Sequence, residues 1–578
     1  MYKKLLSCVR EYKRPSLEAP FYVSLEVIME CIIPFITARL VNQIRNGCTM
    51  NELLFDGIML IIMAFMSLTF GIIAGNSCST ASCGFAKNLR SDLFRAVQKF
   101  SFTDIDRFSS TSLITRITTD VSNVQRAYMM IIRTVIRGPL MLIFSFIMAL
   151  IMGGRIAFVF LFAAPFLGAG LFMIARWAMP TFSRIFRQYD GFNNSVQENI
   201  HGVRVVKAFV REEYEKEKFS QNNESIRKTF TTAEKILALN NPLMQFCTYI
   251  VMIFILYYGT YRVITSRGLD LNIGQISSLI TYGTQILGSL MRLSMVLAMI
   301  TLARESAIRI VEVLDAQPTL TSPINGIRDV KDGSIIFEHV SFRYGDNIKT
   351  PYALTNINVK IESGETIGII GGTGSSKSTL VQLIPRLYDA THGRVILGGH
   401  DVKEYELESL RNNVAFVLQK NEIFSGTIRE NLKWGNRFAT DEEISEVCRV
   451  SCADEFIERL PEKLDTHIEQ NGTNLSGGQK QRLCIARALL KRPKVLILDD
   501  ALSAVDTATD ARIRASLKQY MPGVTKIIIA QRILSVRDSD RIILLEGGEI
   551  KAIGTHEELL KTSEIYGEIY TSQQRELH

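Results

Sequence analysis

The chain has 578 residues, of which 47% are hydrophobic and 21% charged, and carries a formal net charge of +8. That length exceeds one domain, and nine cysteines without a CxxC pair argue against a zinc site. The basic residues sit mainly beside long apolar runs, so the charge reads as membrane topology and no nucleic-acid partner is expected.

Lys3, Lys4, Arg10, Lys13 and Arg14 open the chain and favour a cytoplasmic N-terminus. The apolar run 19–40 follows. It carries Glu26 and Glu30 and lacks an obvious small-residue cleavage site, so it reads as a retained span rather than a signal peptide. Runs 57–77, 156–175, 236–261 and 271–291 contain no Asp, Glu, Lys or Arg. Each approaches or exceeds the roughly 20 residues needed to cross a bilayer. With 19–40 and 138–154 they make six candidate spans, an even number that returns the C-terminus to the cytoplasm. Arg133 and Arg137 lie at the start of the third span. Together with Glu26 and Glu30 they contact cargo, pair with each other, or snorkel to headgroups, three readings that composition leaves open.

Two basic, helix-compatible excursions, 78–125 and 176–235, separate the spans. The first has a turn-rich break near 109–112; the second holds "ENIHGVRVVKAFVREEYEKEKF". The apolar half, 1–320, gives way at 321–333 to a polar linker with Pro323, Gly326 and Gly333. Residues 334–578 contain short β-branched runs: "SIIFEHVSF", "ETIGIIG", "GRVILGG", "NVAFVLQ", "KVLILDD", "TKIIIAQ" and "DRIILLEGGEI". Helical patterns separate several of these runs, which predicts an α/β domain with a largely parallel sheet and an antiparallel part.

Within this domain, "GGTGSSKST" follows the strand-like "TIGII". Its residues Gly371, Gly372, Thr373, Gly374, Ser375, Ser376, Lys377, Ser378 and Thr379 fit G-x-x-x-x-G-K-[ST], except that Ser376 stands where glycine is expected. Such a loop wraps phosphate oxygens with backbone N–H groups, while its Lys reaches the β- and γ-phosphates and its Ser serves Mg²⁺. Downstream, "LSGGQ" supplies Ser476, Gly477, Gly478 and Gln479, with Ser476 a candidate helix cap. Then "VLILDDALSAVD" runs an apolar strand into Asp499 and Asp500, and "IIIAQR" ends on Gln531 and Arg532.

This ordered series resembles the half-size exporters of the ATP-binding cassette superfamily, six spans fused to one nucleotide-binding domain. By that resemblance Tyr344 in "FRYGD" stacks on adenine, 371–379 is the Walker A loop, and Gln419 senses metal and water. The run 475–479 is the signature, which acts on ATP held by a partner; Val495–Asp499 is Walker B, and "SAVD" is the dimer-contact loop. Ser378, Gln419 and Asp499 would hold Mg²⁺, Asp499 through water. The segments around 100–112 and 210–219, with Asp106, Arg107 and Glu212, correspond to the family's coupling helices.

The departures are specific. Asp500 replaces the Glu that polarises water, Gln531 replaces the switch His, and Gln470 stands where related exporters often have Glu. Asp for Glu retracts the carboxylate by about one bond, and a misplacement near 1 Å costs on the order of 10²-fold in rate. The pattern resembles the degenerate-site subunit of a heterodimeric multidrug exporter. It implies an ATP-driven complex whose own site on this chain is weak, with a non-identical partner that keeps the Glu and the His. The bacterial cytoplasmic membrane, multi-pass, is the implied location, and the exported substrate is unspecified. The alternatives are an exporter-like siderophore, lipid or peptide transporter subunit, or a nucleotide-gated membrane regulator.

Overall fold

A computed structural model describes residues 2–266, 271–345 and 350–575. It divides into two compact units, Met1–Gln98 with Thr111–Ala316, and Lys99–Ser110 with Gln317–His578.

The first unit is helical. Among the described residues, five runs are long and apolar enough to cross a bilayer: Arg10–Asn46, Met50–Gln98, Ser110–Thr181, Glu212–Thr265 and Ile273–Asp315. The third breaks after the helix Ile136–Gly153, where Gly154 adopts φ +49, a left-handed conformation that glycine accepts without strain. A short turn, Gly154–Ala157, then leads into Phe158–His201. That break places the expected spans 138–154 and 156–175 on separate helices, and each of the six anticipated stretches lies mostly on helix. Met50–Gln98 continues without interruption into the first excursion, beyond the apolar run that predicted it. Large apolar side chains such as Phe162 (77% exposed) and Phe172 (70%) face outward, as lipid contact requires.

At membrane depth the charged residues find one another. Arg137 donates to Glu26 at 2.5 Å and to Glu30 at 2.6 Å. Of the three readings left open by the sequence, mutual pairing is the one realised for these residues; Arg133 stands outside the triad. Tyr282, fully buried, donates its hydroxyl to the Cys31 carbonyl at 2.8 Å, satisfying a polar group that hydrocarbon would penalise.

The second unit is α/β. An antiparallel sheet has the order β2 (Leu354–Ile361), β1 (Ile335–Phe342), β4 (His392–Leu397), β5 (His400–Asp401). A six-stranded sheet runs β12 (Glu549–Gly554), β11 (Arg541–Glu546), β3 (Thr366–Ile370), β10 (Thr525–Ile529), β9 (Val495–Asp499), β6 (Val414–Val417). β6, β9, β10, β3 and β11 are parallel to their neighbours; β12 is antiparallel to β11. A two-stranded ladder joins β7 (Gly426–Thr427) to β8 (His467–Ile468).

β9, β10 and most of β3 are buried along their length, which is why they are rich in Val, Ile and Leu without a polar alternation. Each such side chain contributes about 1.5–3 kcal/mol on burial. β2 is not among the anticipated strands. Its Asn356 and Asn358 suit turns better than strands, and only the alternating buried positions Leu354, Ile357, Val359 and Ile361 hold it in the sheet.

Candidate functional site

The parallel strands β3, β9 and β10 end side by side, and the chain leaves them at Gly371, Asp500 and Ala530. These exits build a cavity of about 520 Å³. It is lined by Gly371, Gly372, Thr373, Gly374, Ser375, Ser376, Lys377, Ser378 and Thr379, with Gln419, Asp499, Asp500 and Gln531 opposite. A crevice at the carboxyl ends of parallel strands is where α/β sheets bind ligands.

Local backbone explains the loop. A Cβ at Gly371 would lie 2.0 Å from the Leu545 carbonyl oxygen of β11, so only glycine lets the loop cross there. Ser376 sits at φ +68, the left-handed region. That is the physical reason glycine is expected at this position, and a serine there costs about 1 kcal/mol. The helix Lys377–Gln382 then ends before Pro385. Lys377 folds back over the loop, donating to the carbonyls of Gly371 at 2.9 Å and Gly372 at 2.8 Å. Burial lowers its pKa, opposed by the charges of Asp499 and Asp500.

Asp499 closes β9 and is 3% exposed. Burial pushes its carboxyl pKa up and Asp500's charge adds to this, while a hydrogen bond from Ser378 and the charge of Lys377 pull it down. A buried, electron-rich carboxylate beside a hydroxyl and the Gln419 carboxamide is a hard-oxygen donor set of the kind Mg²⁺ takes. Asp500 adopts φ +50, tolerable for Asp, and its N–H donates to the Ile529 carbonyl at 3.0 Å. Burial raises its pKa as well, opposed by Lys377 and by hydrogen bonds from Ser503, Gln419 and Gln531. The two departures from the hydrolytic pattern touch: Gln531 Nε2 donates to Asp500 Oδ2 at 3.0 Å.

Tyr344 is beside the cavity rather than in its lining. Its hydroxyl shares a hydrogen bond with Thr379 at 2.9 Å, and its ring meets Tyr388 edge-on at 5.3 Å. Ser476, Gly477, Gly478 and Gln479 do not line the cavity. They begin the helix Gly477–Leu490, where the Ser476 hydroxyl accepts from the Gln479 N–H and the Gln479 side chain accepts from the Ser476 N–H, a reciprocal cap. Gln481 ties this helix to the acidic strand: its Nε2 donates to Ser503 at 3.2 Å and its Oε1 accepts from the Ala504 N–H at 3.0 Å.

One feature had no counterpart in the sequence reading, and one did. Ile569 and Gln573, from the helix Glu564–Arg575, also line the cavity. The segment Lys99–Ser110 belongs to this unit: Asp106 accepts from the Tyr388 hydroxyl at 2.8 Å, and Phe102 packs on the Tyr388 ring at 5.9 Å. That contact agrees with the expectation for the first excursion. In the second, Phe209 and Val210 are 74% and 81% exposed.

Residues 21–290 match the family model for the ABC transporter transmembrane region, and residues 354–503 match the model for the ABC transporter. An uncharacterized ABC transporter ATP-binding protein of Bacillus subtilis, YfiB, is 33% identical over 571 residues, covering 99% of this chain and 98% of its own. This chain belongs to the ABC transporter family. An ATP-dependent lipid A-core flippase of Syntrophus aciditrophicus is 32% identical over 493 residues, covering 85% of this chain and 80% of its own. A solved bacterial Atm1-family ABC exporter with ATP bound superposes with a TM-score of 0.83 at 22% identity, covering 97% of this chain and 98% of that one. The ABC half-transporter is therefore a multi-pass membrane protein with an exporter fold, its helical membrane region fused to an ATP-binding α/β region.

Proposed function

We propose that this half-transporter is the degenerate-site subunit of a heterodimeric exporter. It holds MgATP at its own weak site and lends an intact signature to a partner's catalytic site. The observation that carries this reading is the Gln531–Asp500 hydrogen bond at 3.0 Å. The carboxylate that would polarise water is one methylene short, and it accepts from a carboxamide that cannot exchange a proton near neutral pH.

The residues that would hold nucleotide remain. Gly371–Ser376 backbone N–H groups and Lys377 would receive phosphate oxygens, with Tyr344 against adenine. Ser378, Gln419 and Asp499 would hold Mg²⁺, which supplies charge neutralisation to the phosphates when bound. Ser476, Gly477, Gly478 and Gln479 would face the partner's γ-phosphate. Since neither departure touches the signature, the asymmetry points to a non-identical partner that keeps the Glu and the His. The flippase among the relatives favours an amphipathic lipid as cargo.

One reconstituted heterodimer tests this. Ser476→Arg or Gly477→Asp should nearly abolish its ATPase activity, because each side chain intrudes where the signature meets the partner's phosphate. Asp500→Asn should lower it by less than about threefold, since that carboxylate is already poorly placed. If Asp500→Asn is as damaging as the signature variants, this chain's own site is catalytic and the proposal is wrong.

A further inference from the structure

The C-terminal helix Glu564–Arg575 carries Tyr566, Ile569, Tyr570 and Gln573 at helical i, i+3, i+4, i+7 spacing, so all four share one face. Tyr566 is fully buried, and its hydroxyl bonds His556 Nδ1 at 2.8 Å. Ile569 and Tyr570 pack partly buried against the same core. One turn on, where an apolar residue would continue the stripe, stands the carboxamide of Gln573.

That carboxamide uses both ends on one short segment. Gln573 Nε2 donates to the Gln531 carbonyl at 2.7 Å, and Gln573 Oε1 accepts from the Ile533 N–H at 2.8 Å. The orientation is determined, because a carbonyl needs a donor and an N–H an acceptor. The backbone is thus clamped on both sides of Arg532. From the clamped residue the Gln531 side chain reaches Asp500 at 3.0 Å, and Gln573 itself lines the cavity with residues 371–379.

We propose that Gln573 is a positioning residue of the nucleotide site: it fixes the 531–533 segment so that the Gln531 carboxamide stays aimed at Asp500 and at the phosphate end of the cavity. The inference rests on the reading that this cavity holds ATP. The C-terminal helix then controls how long nucleotide stays, through a side chain that need not touch it.

The test measures release of a fluorescent ATP analogue from the full-length chain in lipid nanodiscs. Gln573→Ala should speed release about 5- to 30-fold, the equivalent of one or two neutral hydrogen bonds. Gln573→Glu keeps the acceptor for Ile533 N–H but sets a carboxylate oxygen against the Gln531 carbonyl, and should speed release at least as much. Gln574→Ala, whose side chain bonds Tyr570 instead, should release as the parent does. In a Gln531→Ala chain, which retains the backbone carbonyl, Gln573→Ala should add no further acceleration. Melting temperatures of all variants report whether the fold is kept. Release unchanged in both Gln573 variants overturns the proposal, as does full additivity with Gln531→Ala or equal acceleration by Gln574→Ala. A parent chain that binds no analogue overturns the ATP-site reading itself, which the binding amplitude shows before any release rate is read.

Discussion

Asp499 shows how one buried carboxylate couples stability to pH and ligand. Its folded pKa is raised, chiefly by burial, above the ordinary carboxylate value. The folded chain therefore keeps this proton to a higher pH than the unfolded chain does. Its contribution to the stability of the nucleotide-free protein is present at low pH, declines as pH rises from the unfolded value through the raised folded one, and stays at its low level above. Asp499→Asn removes that decline. The nucleotide-free melting temperature at pH 7.5 should rise, because the neutral carboxamide carries no buried charge at that pH. The stabilisation added by MgATP should be lost at the same time. Calorimetry with and without MgATP across pH 4–8 measures both; a melting temperature lowered at pH 7.5 would falsify this account of Asp499.

At the scale of elements, the ring cluster around Tyr388 is where the segment Lys99–Ser110 packs within the α/β unit. Phe102, Phe342 and Tyr344 surround the Tyr388 ring, and Tyr344 in turn bonds Thr379 beside the cavity. Burial and the Asp106 carboxylate raise the Tyr388 phenol pKa, so it remains a donor at neutral pH. Tyr388→Phe keeps the ring and deletes the bond to Asp106. Nucleotide affinity should stay within about twofold, because the cavity is untouched. The ATP-dependent change in distance between spin labels on the membrane helices should shrink, since a hydrogen bond to a charged group, worth about 1.5–3 kcal/mol, is lost from the connecting segment. A full-sized distance change in Tyr388→Phe would remove this bond from the coupling route.

For the whole molecule, the argument turns on partnership. On the proposed reading, a chain with Asp500 and Gln531 paired in its own site, and an intact reciprocal cap at Ser476–Gln479, serves a second site better than its own. Purified alone, it should bind ATP yet hydrolyse it well below the usual enzyme range of roughly 1–10³ s⁻¹. Co-expression with its partner half-transporter should raise turnover into that range. Steady-state ATPase rates of the lone chain and of the co-purified pair decide this, and fast turnover by a proven homodimer would refute the asymmetric assignment.

The composition of this chain determined its architecture because the relevant signals are local. Apolar runs long enough to span a bilayer announce helices, unbroken β-branched runs announce buried parallel strands, and the glycine-rich loop announces its turn. The loop 371–379 and the apolar strand ending in Asp499 were legible from their motifs, while Gln419, Asp500 and Gln531 were picked out by the resemblance to the ATP-binding cassette family. Other features needed the tertiary structure because they depend on what lies opposite. Arg137 chose Glu26 and Glu30 only once two helices packed, and β2 became an edge strand despite its asparagines because β1 pairs one of its edges and Leu354, Ile357, Val359 and Ile361 are buried. The touching of Gln531 and Asp500 spans 31 positions, and the clamp from Gln573 to Gln531 spans 42. A polar residue on an otherwise apolar helical face was the one trace of that clamp in the sequence. What it pairs with is a backbone carbonyl and N–H, groups every residue carries, so only folding could reveal the partner.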